Sequence, residues 1–153
     1  MKSNKLLRLW ALSTALVNYP VEIRLLAVAV TAAEMKFRPF PLRLVEYIVV
    51  FIAMCFGKSV GKFSIGISQI SIRHRVLDFE ESEFQSILSL MSARKSLETC
   101  CSIIAKHPCT SLQLVAESYN GRCSVFYSVE LKKNYTRLIA LLENLTPGLS
   151  AKN

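Results

Sequence analysis

The chain has no phosphate-binding G-x-x-x-x-G-K-[ST] loop, no G-x-G-x-x-G and no H-E-x-x-H, and its G-x-S-x-G string, Gly57-Lys58-Ser59-Val60-Gly61, reads as a flexible polar loop closing an apolar helix and not as the strand-to-helix elbow of a hydrolase. Nucleotide, serine-hydrolase and zinc-protease chemistry therefore lack their parts. Carboxylates and amides remain. Among eleven acidic residues Glu34 stands apart, because it closes the apolar stretch from Leu25 to Ala33 just before the proline-broken Arg38-Pro39-Phe40-Pro41. A carboxyl on a rigid helix end, partly desolvated at a cleft edge, has its pKa raised towards that of a general acid working near neutrality. The competing role is an ion pair with Lys36, Arg38 or Arg43. Asp78, Glu80, Glu81 and Glu83 read instead as the acidic first turn of a helix, where they favour the helix dipole.

Two further clusters follow: Ser64-Ile65-Gly66-Ile67-Ser68-Gln69-Ile70, and Val115-Ala116-Glu117-Ser118-Tyr119-Asn120-Gly121. In this order, after an apolar helix ending in Glu34, they resemble the lytic transglycosylases and their relatives in the lysozyme-like superfamily, over roughly Pro20 to Leu145. That family presents a catalytic Glu at a helix end, a Gly-Leu-Met-Gln-type motif lining the glycan cleft, and an Ala-Tyr-Asn-type motif facing the acid. The resemblance implies Glu34 as acid and Ser64, Gly66, Gln69, Tyr119 and Asn120 as substrate-binding residues. Gly66 would let backbone approach the sugar, and the Gln69 amide offers a donor and an acceptor. Met35 stands where the family commonly has Ser. Glu34 and Gly66 are also further apart than in the family, which makes Glu46 a rival acid. Glu46 lies inside an apolar helix with Arg43 one turn away, where an internal ion pair is expected.

Glycine and proline mark the elements that must position these residues. Helices are expected over Leu6–Val17, over Val21–Phe37 with Pro20 preset for its first turn, and over Leu42–Phe56. Ile23, Leu26, Ala27, Val30 and Ala33 recur with helical spacing, so one stripe of the second helix should face the core. Leu44–Phe56 is the most apolar run and reads as a buried helix. Alternation from Phe63 to Ile72 suggests a short strand pair or an irregular turn. Asp78–His107, without Gly or Pro, is expected to form one long or two abutting helices. Thr110–Tyr119 and Ser124–Leu145 complete a mainly α, lysozyme-like α+β fold in a single domain, 1–153.

The 52% hydrophobic content excludes intrinsic disorder, and five Gly with five Pro are few for a sandwich or barrel. A formal charge of +8 favours a polyanionic partner. Lys and Arg form no stripe with interleaved aromatics, so nucleic acid is not expected. Cys55, Cys100, Cys101, Cys109 and Cys123 lack C-x-x-C spacing, and two histidines do not complete a zinc set; no metal or cofactor is expected. Cys100 and Cys101 read as buried free thiols. No run reaches the roughly twenty apolar residues of a transmembrane helix. Lys2, Lys5 and Arg8 precede Leu9–Val17 in signal-peptide order, but no small-x-small site follows, so residues 1–19 read as a first helix.

The resemblance implies peptidoglycan glycan strands as partner and the periplasm or cell wall as the place of action. It specifies neither an export route nor a protein partner such as an immunity protein. A non-catalytic lysozyme-like binding module and a basic helical adaptor for nucleic acid or an acidic partner are the competing functions.

Overall fold

Pro20 ends the first connection and, with φ near the helical value, starts the helix that organises the molecule, Val21–Phe37. The computed structural model describes residues 3–106, Leu112, Val115 and 125–145. Its helices are α1 (Ser3–Thr14), α2 (Val21–Phe37), α3 (Phe40–Cys55), α4 (Ile72–Phe79), α5 (Glu83–Met91), α6 (Ala93–Lys106) and α7 (Val125–Leu145). A two-stranded antiparallel hairpin, β1 (Ser64–Ile65) with β2 (Ile70–Ser71), lies between α3 and α4, with Ser64 opposite Ser71 and Ile65 opposite Ile70. The fold is mainly helical with a small sheet, as the sequence pattern implies.

Helix α2 is enclosed by α1, α6 and α7. Every residue from Ala27 to Glu34 is buried, so the helix buries its whole circumference here and not the single stripe that the spacing suggested. Small side chains make this work, because Ala27, Ala29, Ala32 and Ala33 let neighbouring helices approach closely while Val28 and Val30 fill the gaps. Leu97, Cys100 and Cys101 of α6 and Leu131 and Leu138 of α7 join the same buried cluster. Cys100 and Cys101 carry free thiols, and burial pushes Cys101 up to about 12, which keeps it protonated and unreactive.

Helix α3 departs from expectation. The most apolar segment of the chain is not core: only Arg43 and Val50 are buried in it. Hydrophobicity by count suggested a buried helix, but α2 carries small residues that pack on all sides, whereas α3 carries large ones that face outward. Its end is well formed. Gly57, at φ +66°, lets the chain turn back so that Gly57 N–H donates to Met54 O and Lys58 N–H to Ala53 O, the paired bonds of a Schellman stop.

The stretch after Asp78 forms the second of the two expected alternatives, two abutting helices, α5 and α6, after α4 ends at Phe79. Glu80 adopts a left-handed conformation at φ +53°, and Ser82 then caps α5 in a reciprocal box with Gln85. A second break at Ser92 separates α5 from α6. Of the four acidic residues, Glu83 alone sits in a first helical turn; Asp78 pairs with Lys106 and Glu81 with buried Arg75. The expected helix over Thr110–Tyr119 lies outside the described residues, apart from Leu112 and Val115, which are helical.

Candidate active site

Glu34 lies in the last turn of α2, 7% exposed. The main-chain carbonyl of Glu34 accepts from Arg38 N–H, 2.9 Å, which closes the helix. Among the described residues no cation stands within ion-pair distance of it: Lys36 pairs with Glu130 at 2.6 Å, and Arg38 pairs with Glu46. The ion pair weighed for Glu34 from the sequence is thus not made. Desolvation raises the Glu34 pKa and outweighs the lowering by the Tyr127 hydroxyl and by the Arg38 and Arg43 charges. The result is a buried carboxyl biased towards its protonated form.

Tyr127 was not legible as a site residue. It is 4% exposed on α7, with its ring stacked on Phe37 at 5.8 Å between centroids. Its hydroxyl faces the Glu34 carboxyl closely enough to favour the charged acid, although no partner meets strict hydrogen-bond geometry. A signal did exist. Tyr127, Glu130, Leu131, Asn134 and Leu138 share one buried stripe of α7, and polar residues on such a stripe mark a face turned towards something other than bulk core.

The hairpin loop is tied to the same helix. Thr31, one turn before Glu34, shares a hydrogen bond with Ser68 at 2.8 Å between hydroxyl oxygens, both buried. Ser68 N–H donates to Ser96 Oγ at 3.2 Å, and Gly66 N–H donates to the Tyr47 hydroxyl of α3 at 3.2 Å. Gly66 is obligatory here. Its φ is +84°, and a Cβ would lie 2.5 Å from the Leu90 carbonyl oxygen and 2.7 Å from Ser96 Oγ.

Gln69 occupies a left-handed conformation at φ +52°, a strained placement for a residue other than glycine, and is buried. Its amide is fully engaged: Arg38 Nη1 donates to Oε1 at 3.1 Å, and Nε2 donates to Glu46 Oε2 at 3.1 Å and to the Gly66 carbonyl at 3.2 Å. Arg43, also buried, donates from Nε to the Arg38 carbonyl at 2.9 Å. Arg38, Glu46 and Gln69 therefore form one polar triad beside Glu34, whose carboxyl feels the charges of both Arg38 and Glu46. Glu46 does make an ion pair, but with Arg38 across the turn and not with Arg43 on its own helix.

Of the residues singled out from the sequence, Glu34, Glu46, Gly66 and Gln69 thus come together at the junction of α2, α3 and the hairpin. Ser64 pairs with Ser71 in the hairpin. Tyr119 and Asn120 lie outside the described residues. No group of His, Cys, Asp and Glu among the described residues is disposed to hold a metal ion. The site can hold and release a proton at Glu34 beside a rigid array of donors and acceptors, which is the equipment of acid–base chemistry on an uncharged bond. No protein-family model, curated protein or solved structure matches the chain.

Proposed function

We propose that this protein cleaves the β-1,4 glycosidic bond between N-acetylmuramic acid and N-acetylglucosamine in peptidoglycan, as a lytic transglycosylase or a lysozyme-like muramidase, with Glu34 as general acid and then base. The observation that carries the proposal is the Glu34 carboxyl itself: buried at a helix end, without an ion-pair partner among the described residues, and raised in pKa by desolvation. Protonated Glu34 donates to the glycosidic oxygen as positive charge develops on the muramyl ring. The carboxylate left behind takes a proton either from the muramyl 6-hydroxyl, which attacks C1 to close an anhydro ring, or from water.

Glu46 is the less suitable acid, because both of its carboxyl oxygens are already engaged, one by Arg38 and one by Gln69. Gln69 supports the reading differently from what the family motif implies. Its amide is spent on Arg38 and Glu46, and the Gly66 N–H and carbonyl are bonded to Tyr47 and Gln69, so both residues position the loop beside Glu34. The formal charge of +8 suits an envelope rich in acidic polymers, and the periplasm or cell wall is the corresponding place of action.

The test is digestion of purified peptidoglycan by wild type and Glu34→Gln, with the soluble sugar ends identified by mass spectrometry. Anhydro ends select transglycosylation and reducing ends select hydrolysis. Glycan binding without cleavage by either protein would point to a non-catalytic module. Strongly salt-dependent nucleic-acid binding with no effect on glycan would point to a basic adaptor.

A further inference from the structure

At 100° per residue, the exposed side chains of α3 cover an arc of about 200°, and all of them are apolar or a thiol. Phe40, at 74% exposure, Phe51, at 66%, and Phe56, at 77% and just past the helix end, are the most prominent, with Val45, Ile48 and Ile52 among them. The two charged residues of the helix lie in the opposite, inward arc: Arg43 is buried against the Arg38 carbonyl, and Glu46 is bound to Arg38 and Gln69. Burying the charges and exposing the apolar arc inverts what a water-facing helix needs. The arc continues across a groove of about 430 Å³ onto Phe84, Leu88 and Met91 of α5.

We propose that this face seats in the headgroup–acyl boundary of an anionic lipid bilayer. Four observations favour lipid over a protein occupant. First, a helix or second copy docked in the groove would cover one stripe, whereas an arc this wide on a protruding helix is covered by a medium that surrounds it. Second, Lys58, just past the end of α3, and Lys62, in the loop that leads from α3 to β1, are exposed and make no ion pair among the described residues, which leaves two cations free to meet phosphate headgroups. The formal charge of +8 acts in the same sense. Third, the Ile52, Ala53 and Met54 carbonyls at the C-terminal end of α3 are bonded within the turn at Gly57, which lessens the cost of bringing this helix end to the apolar layer. Fourth, sixteen residues give a length of about 24 Å, less than the ~30 Å of a hydrocarbon core, so the helix lies in the interface and does not cross. No helix among the described residues is long and apolar enough to span a membrane. The proposal is independent of the role given to Glu34.

Flotation of the full chain with vesicles tests it. Wild type is expected to float with phosphatidylcholine–phosphatidylglycerol vesicles and much less with phosphatidylcholine alone. The triple variant Val45→Ser, Phe51→Ser, Ile52→Ser is expected to bind at least ~tenfold more weakly, and Lys58→Gln with Lys62→Gln to lose most of the preference for anionic lipid. All five positions are exposed, and circular dichroism checks that the variants remain folded. A second readout avoids mutating the face: an environment-sensitive dye on exposed Cys55, with Cys55→Ser correcting for labelling elsewhere, should shift to the blue on anionic vesicles. Wild type that fails to float, a triple variant that floats as well as wild type, or a dye that does not shift overturns the proposal. A dimer that the triple variant dissolves, with no flotation, overturns it in favour of a second copy as the occupant.

Discussion

Replacing Glu34 by Gln removes a proton donor while keeping the shape of a buried side chain, and the two consequences should move in opposite directions. General acid catalysis contributes about 10²–10⁴ in rate, so kcat on peptidoglycan should fall by that factor, equivalent to about 3–5 kcal/mol of transition-state stabilisation at 1.36 kcal/mol per decade. Stability should not fall with it. Glu34 is a carboxyl whose folded pKa lies above its unfolded value, so the folded state binds the extra proton between those values and loses stability as pH rises through that window. An amide has no such cost. Glu34→Gln should therefore be as stable as wild type below about pH 4.5 and more stable at pH 7, in chemical denaturation measured at both pH values. Activity is read from soluble muropeptides, normalised to folded protein. A variant retaining activity within a few-fold of wild type would refute the catalytic assignment. A variant less stable than wild type at pH 7 would show that Glu34 is a satisfied structural ion and that the account of its desolvation is wrong.

Tyr127→Phe removes the hydroxyl that favours the Glu34 carboxylate, so the Glu34 pKa should rise further and the alkaline limb of kcat/KM against pH should move to higher pH; an unmoved limb would uncouple the two residues. Gly66→Ala forces a side chain into the Leu90 carbonyl at a positive φ and should destabilise the fold by at least ~1–3 kcal/mol in urea denaturation. Ser82→Ala breaks the capping box with Gln85 and should cost about 1 kcal/mol by the same measurement while leaving muropeptide release unchanged.

Helix α2 illustrates how much was readable along the chain. Its limits, Val21 and Phe37, follow from prolines on both sides, and Glu34 was identifiable as unusual because a carboxylate ends a long run of small apolar residues. The hairpin was visible in the alternation from Phe63 to Ile72, with Gly66 marking the place where backbone must pass close to something. The break at Ser82 was written in the sequence as Ser-x-x-Gln, yet the absence of Gly and Pro from that stretch concealed it, since a capping box ends a helix by hydrogen bonding and needs neither residue. Tyr127 was readable only as part of a stripe of α7 that carries polar residues, and the choice of Arg38 as partner to Glu46 was not readable, because both depend on which helix faces which.

Local rules thus set the elements, their punctuation and the identity of the unusual acid, since propensity, capping and proline geometry act over a few residues. Long-range packing assigned the rest. It made the alanine-rich α2 the core and left the greasier α3 outside, because close approach rewards small side chains more than total hydrophobicity does. It also brought Arg38, Glu46 and Gln69 into one network and left Glu34 without a counter-ion among the described residues, which no spacing along the chain could specify, because burial and ion pairing are properties of neighbours brought together by the fold.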